Sequence, residues 1–515
     1  MRPASGGSAS GGPASGGSAS GGAARCTADR SVESVSVTSK QIVGSRSSAS
    51  VHLKTATAFL AIAAGLISYS SLEFMLVEIQ TDFSMSSDAT IVVAQIAAGA
   101  SLFAVFLAGV LADRLGERRV LSWASAVFCF GAVIVGLSPH KSTLIVGLAF
   151  GGVGSIVMAI VGLSVLNKTF PENAQRARAF GLFAVIAPVV SIVVPLLSSA
   201  IIPRSSWRFV TILWVLVGLG TLLLVRRTLP KGTGSAVRSE LVTPALAGIA
   251  LAGVALAFSF FSISPKDARH YPHGLISAGV AALAAIALIV VMRRLATPTL
   301  DIRAMRRRGS FPILGALFLV NGVNLFFFTY LFLQFRYHQT LIETAVLLIL
   351  PQAVAGVAAV WGGRLSARVG SATVAVFAFF FAAVLSLGAL FIGAEASVWA
   401  PVIFLTIAAI PIAASVGPLT HAFMELAPDD GVGSASSLRN AVVNLGIAIA
   451  GLITGTIIFN DLDRDAAQNL AAYRQQADAF HLAGIFCFVS YLTAAFLVLL
   501  HARRRGVSVV HVARH

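Results

Sequence analysis

The sequence predicts an all-α polytopic membrane protein, on three observations. Of its 515 residues, 57% are hydrophobic and 11% charged, with mean hydropathy +0.87. Apolar segments of about 20 residues, the length a helix needs to cross a hydrocarbon core, recur from Lys54 to Arg505. The basic residues fall between those segments and not in one domain. A soluble chain is about a quarter charged, and a globule this apolar could not cover its own surface with polar groups. Lipid is therefore the solvent for much of the molecule. The formal charge of +16 would suggest a nucleic-acid partner in a soluble protein. Between apolar spans it marks inner loops instead, and no nucleic-acid partner is expected.

Residues 1–53 read as a disordered cytoplasmic tail. PASGGSASGG occurs at 3–12 and again at 13–22, and a Ser/Thr-rich stretch follows. Such composition buries too little apolar surface to offset the entropy of ordering. It also lacks the layout of a secretory signal. Spans follow at 55–79, 89–112, 119–138, 142–166, 178–202, 206–225, 243–263, 273–292, 311–334, 343–362, 372–393, 398–422, 432–458 and 480–501. That makes about fourteen transmembrane helices. If the N-terminus is cytoplasmic, the inner segments hold 29 of the 37 Lys and Arg. The bias fits the positive-inside rule, with both termini cytoplasmic and the chain multi-pass in the plasma membrane. Cys26, Cys129 and Cys487 are scattered, without metal-ligand or redox spacing.

The clearest motif joins the second and third spans: Gly109-Val-Leu-Ala-Asp113-Arg114-Leu-Gly116-Glu117-Arg118-Arg119. Gly109 and Gly116 allow a tight turn and close backbone approach. Asp113 is placed to meet the positive end of a neighbouring helix. Arg114 and Arg118 are expected to hold the turn at the anionic inner leaflet. A weaker copy, Gly363-Arg364-Leu-Ser-Ala367-Arg368-Val-Gly370, joins two later spans and has Ala367 where the first has Asp113. A turn repeated at matching places is the mark of a duplicated transporter.

With these two turns the chain resembles the major facilitator superfamily, departing at Glu117, where a basic residue is usual. Ser206-Trp207-Arg208-Phe209, and Pro298 to Arg303, look like its fourteen-helix branch of drug and metabolite exporters. The resemblance implies a six-helix bundle at 54–228, an inserted helix pair at 229–297, a second six-helix bundle at 298–505 and a cytoplasmic tail at 506–515. Two family elements are eroded. Leu148 stands where an arginine often serves proton coupling, and Val194-Pro195-Leu-Leu-Ser198-Ser199 keeps only the proline of an antiporter bend.

Ionisable and polar groups inside spans mark possible pathways. Glu73 is the candidate proton carrier or cation-binding carboxylate, the alternative being a structural carboxylate. Glu78 and Asp82, at the outer boundary, read as solvated. Asn321 and Asn324 interrupt the ninth span and are expected to line a cavity. Arg439, Asn440 and Asn444 follow one another along the thirteenth; Arg439 either anchors the inner side or faces the cavity toward an anionic group. His421 reads as a capping histidine. No Walker loop, dinucleotide fingerprint, HExxH or Cys/His cluster occurs, so no cofactor, metal or enzyme activity is expected. The expectation is a secondary transporter, working as a monomer in lipid, that moves a small molecule by alternating access. Efflux of drug-like or amphiphilic metabolites, with protons as coupling ion, is favoured. An uptake permease of the same fold and a non-transporting sensor or scaffold are the alternatives.

Overall fold

The computed structural model describes residues 28–85, 87–170, 172–231, 240–263, 271–295, 309–323, 325–427, 432–453 and 470–504. Two compact units, Met1–His52 and Leu53–His515, make up the chain, and every helix from α2 onward lies in the second. Among the described residues the regular structure is helical, with no strand. Residues 1–27 of the expected tail lie outside the described residues. From Ala28 the chain is helical, with no proline and one glycine, Gly44, over 28–53 to interrupt it.

The first bundle consists of α1 (Ala28–Asp82), α2 (Ser87–Leu115), α3 (Glu117–Gly136), α4 (Lys141–Thr169), α5 (Asn173–Phe183), α6 (Ile186–Ile201) and α7 (Val210–Thr228). The inserted pair is α8 (Val242–Ile263) and α9 (Tyr271–Arg294). The second bundle holds α10 (Phe311–Gly322), α11 (Leu325–Tyr337), α12 (Leu341–Leu347), α13 (Ile349–Val369), α14 (Ser371–Ser386), α15 (Trp399–Met424), α16 (Val432–Ile453) and α17 (Leu470–Arg504). Each divided pair, α5–α6, α10–α11 and α12–α13, forms one crossing, which leaves six crossings to a bundle. Among the described residues, twelve helices are long and apolar enough to cross a membrane. The other two predicted spans fall on α10–α11 and on α16, so the figure of fourteen is approximate.

Prolines explain two of the divisions. A proline lacks the N–H that would bond four residues back, and its ring crowds that carbonyl. The break between α5 and α6 at Ala184–Val185 lies one turn before Pro188, and the break at Leu348 lies three residues before Pro351. Pro195, where the family's bend was sought, sits inside an unbroken α6. The fifth crossing is thus interrupted just ahead of Pro188 and runs unbroken through Pro195.

The bundles meet along two seams. In one, α2 packs against α16; in the other, α5 and α6 pack against α13. The second seam holds a buried cluster made of alanine alone: Ala184, Ala355, Ala358, Ala359, Ala409 and Ala413. Without a hydrophobic force between helices in lipid, small residues provide close backbone approach. The inserted α8 covers the first seam, touching both α2 and α16, and α9 packs on α8. A Cβ at Gly248 would come within 2.2 Å of the Phe103 carbonyl oxygen, so α8 lies directly on the α2 backbone.

The two bundles use the same internal fastening. Trp214 of α7 stacks on Phe128 of α3, centroids 6.2 Å apart, and its Nε1–H donates to Ser71 Oγ in α1 at 2.6 Å. In the second bundle Tyr491 of α17 stacks on Phe379 of α14 at 6.4 Å and hydrogen-bonds the backbone of Leu325. Leu325 opens α11, where the break has released amides from the helical ladder.

Candidate functional site

Both signature turns lie at one end of the bundles, called here the basic end. Gly116 and Gly370 have φ of +84° and +93°, which L side chains rarely adopt, so each turn reverses on its glycine. The first turn reaches across to the second bundle. Gly433 N–H donates to Asp113 Oδ1 at 2.9 Å; Ser434 donates to Oδ2 from its N–H at 2.9 Å and its Oγ at 2.8 Å. These are the free amides of the first turn of α16. Asp113 does from another bundle what an N-cap aspartate does for its own helix. One turn back, Gly109 N–H donates to Ser437 Oγ at 2.9 Å, and Ser437 Oγ donates to the Val105 carbonyl at 2.7 Å. The backbones are in direct contact: a Cβ at Gly109 would lie 2.2 Å from the Gly433 oxygen.

Arg118 has partners within the protein. Its guanidinium donates to the carbonyls of Leu229 and Arg226, both at 3.0 Å, which closes the exposed C-terminal end of α7. Arg114 is exposed. Glu117, the departure from the family pattern, accepts from Lys168 Nζ at 2.5 Å and from Ser164 Oγ at 3.3 Å. The acid is thus balanced by a cation in the last turn of α4.

The second turn brings Gly363 against Gly181 of α5, where a Cβ on Gly363 would lie 2.4 Å from the Gly181 Cα. Arg364 and Arg368 are exposed, and Ala367 offers no acceptor. The N-terminus of α5 has no side-chain cap from Glu172. Asn173 Nδ2 donates to Glu425 Oε1 at 2.6 Å, again between bundles. Ser371 Oγ and His421 Nδ1 are 2.7 Å apart, with His421 only 1% exposed and its Nε2 without a partner. His421 therefore fastens α15 to α14 and is not an end cap. The Ser371 contact stands where Glu117 meets Lys168 in the first half.

Along α16, Arg439 and Asn440 are buried and Asn444 half-buried. Asn440 Nδ2 donates to the Ser436 carbonyl and Asn444 Nδ2 to that of Asn440, each at 2.8 Å. Asn321 behaves alike, donating to Leu317 at 2.8 Å in the last turn before the α10 break. Gly446 brings α16 against α10, its Cβ direction meeting the Phe318 oxygen at 2.6 Å. Asn321, Asn440, Asn444 and Arg439 thus lie on the helices that join the seam to the broken crossing. Asn324 lies outside the described residues. Glu73 falls within α1, and its side chain lies outside them as well.

At the far end, Asp82 is more than a solvated carboxylate. Trp207 Nε1 donates to its Oδ2 at 3.0 Å, and Arg208, whose guanidinium also reaches the Ser138 carbonyl at 3.2 Å, pairs with the same oxygen. The Trp207 hydrogen bond, then that of Arg208, holds the carboxyl below the usual carboxylate range. The Trp-Arg pair of the sequence thereby ties α7 to the end of α1. Pro298 to Arg303 lies outside the described residues.

The Major Facilitator Superfamily family model matches residues 58–451. The uncharacterized MFS-type transporter EfpA of Mycobacterium tuberculosis is 28% identical over 221 residues, 42% of this chain and 41% of that protein. The chain thus spans about two fifths of that relative's length. The methylenomycin A resistance protein of Streptomyces coelicolor is 24% identical over 408 residues, 78% of this chain and 83% of that one. Among solved structures, the human organic anion transporter MFSD10 superposes with TM-score 0.59 at 13% identity, covering 85% of this chain and 99% of that chain.

Proposed function

Because the chain belongs to the Major Facilitator Superfamily, a family of transporters, we propose that it is a secondary transporter that exports drug-like or amphiphilic molecules by alternating access. The observation that carries this reading is the Asp113 carboxylate seated on the α16 N-terminus across the seam. Three charge-assisted hydrogen bonds between the bundles stabilise one relative orientation, at about 1.5–3 kcal/mol for each such bond. The alanine seam allows the bundles to rock, and breaking this contact is what opening the basic end requires. In this reading the basic end is cytoplasmic, both termini lie there, and the latched form is closed to the cytoplasm. The methylenomycin A resistance protein, matched over most of its length, supports export by its name.

Proton coupling is part of the proposal, with Glu73 as the group that would carry the proton. An ionisable group within a span is costly to keep there and marks a possible proton or solute pathway. Asn321, Asn324, Asn440 and Asn444 are proposed to line the solute path. Growth-inhibition panels comparing deletion and overexpression strains test export directly. A compound accumulated by overexpressing cells, and not lost from them, would make the protein an uptake permease. In reconstituted vesicles, Glu73→Gln should abolish flux driven by a pH gradient, and retained flux rules Glu73 out as the carrier.

A further inference from the structure

Arg439 is the one cation on α16 and is only 9% exposed. A guanidinium offers five N–H donors and no acceptor. Nη1 donates to Asn440 Oδ1 at 3.2 Å and Nη2 to Thr420 Oγ1 at 3.3 Å, both long contacts to neutral oxygens. Nε has no partner. Among the described residues no carboxylate forms an ion pair with it. A buried charge left without an opposite charge is costly by several kcal/mol. Inside a membrane protein such a group marks a pathway or a partner that arrives with the ligand.

Its place in the fold fits a ligand more than a fixed anchor. The guanidinium carbon lies 5.5 Å from the centre of the Phe183 ring, which belongs to the first bundle, while Thr420 and Asn440 belong to the second. The group therefore spans the boundary that alternating access would open. Phe183 immediately precedes Ala184 of the alanine seam, so the surroundings are apolar and aromatic. Neighbouring donors are already used: the Asn440 and Asn444 amides bond to carbonyls of their own helix. A solute reaching this point finds one unspent cationic donor beside an aromatic ring.

We propose that Arg439 recognises an anionic group, a carboxylate or sulfonate, on an otherwise apolar aromatic solute, so that the exported molecules include amphiphilic organic anions. The inference rests on the export reading and names the substrate class for it. A planar guanidinium matches a carboxylate with two parallel hydrogen bonds, and Nε with one Nη supplies that edge. Phe183 would stack on the apolar body.

The test uses the full chain reconstituted in phosphatidylcholine vesicles, with carboxyfluorescein as anionic probe and ethidium as cationic probe. The wild type should move carboxyfluorescein, and R439Q should lower that flux at least tenfold while ethidium flux is unchanged. R439K, which keeps the charge and loses the fork, should fall between. Carboxyfluorescein anisotropy in detergent should report binding to wild type and its loss in R439Q, independently of flux. Repeating the flux measurement with added phosphatidylglycerol separates a free solute from a lipid headgroup: competition by the lipid would assign the site to lipid and overturn the solute reading. Equal loss of both probes in R439Q, with R439K behaving alike, would make Arg439 a gate strut and overturn the inference. A wild type that moves ethidium and not carboxyfluorescein defeats the anion inference alone. One that moves neither probe, under any gradient, defeats the export reading with it.

Discussion

The turns at 109–119 and 363–370 hold the same place in their bundles, and both reverse on a positive-φ glycine after a glycine that touches the opposite bundle. The first adds a carboxylate, which accepts three hydrogen bonds from the α16 N-terminus. The second has Ala367, which offers no carboxylate, and at the α5 N-terminus Asn173 donates to Glu425 of the other bundle. Steric fit is therefore duplicated between the halves while electrostatic fastening is concentrated in one. Under the proposed alternating-access cycle the first turn would serve as latch and the second as bearing, with backbone contact guiding the motion and the charged contact setting which end-state is favoured.

The largest expected effect comes from filling the backbone contact. Gly109→Val should reduce flux to below about a tenth and lower the melting temperature in detergent, since overpacking at a rigid contact costs about 1–3 kcal/mol or more. Gly363→Val should do the same, because the guiding contact is shared; a harmless Gly363→Val would break the comparison. Next, Asp113→Asn should cut flux about tenfold with the protein still folded and in the membrane, as expected from loss of about 1.4 kcal/mol of charged hydrogen bonding. Wild-type rates in that variant would remove the latch. Ala367→Asp sharpens the contrast. A carboxylate there should reach the uncapped α5 amides, slow turnover in the wild-type background and restore part of the flux to Asp113→Asn.

A smaller effect separates the far ends. Asp82 is held below its usual range by Trp207 and Arg208. Its stabilising contribution is therefore present above the unfolded carboxylate value, about 3.9, and is lost as pH falls through the depressed folded value. Melting followed below pH 4 should show this loss in wild type and not in Asp82→Asn. The carboxyl is partly exposed, so the change is small. Near the matching end of the second bundle, Arg336 donates to the Ala394 carbonyl and stacks on Tyr473, contacts that involve no carboxylate. Arg336→Gln should leave the acid slope as it is.

Much of this was legible in the sequence. Composition and span length require a bilayer, and the repeated glycine turn requires a duplicated fold, since only glycine tolerates those dihedrals and contacts. The role of Pro188 was hidden because a proline in a span announces a bend without saying which of several prolines is used; Pro195 sits in an unbroken helix. The carbonyl partners of Arg118 were hidden for a related reason: an arginine beside a turn suits lipid headgroups and helix carbonyls equally, and the carbonyls it meets depend on where α7 ends.

By itself the sequence determined the solvent of the chain, its helical periodicity and the two turns, because these depend on local chemistry repeated along the chain. Only the tertiary structure decided that Asp113 meets Gly433 and Ser434, that Glu117 is balanced by Lys168, and that Arg439 meets no carboxylate among the described residues. Those pairings join residues tens to hundreds of positions apart, and a charge has no partner until folding sets the distance between them.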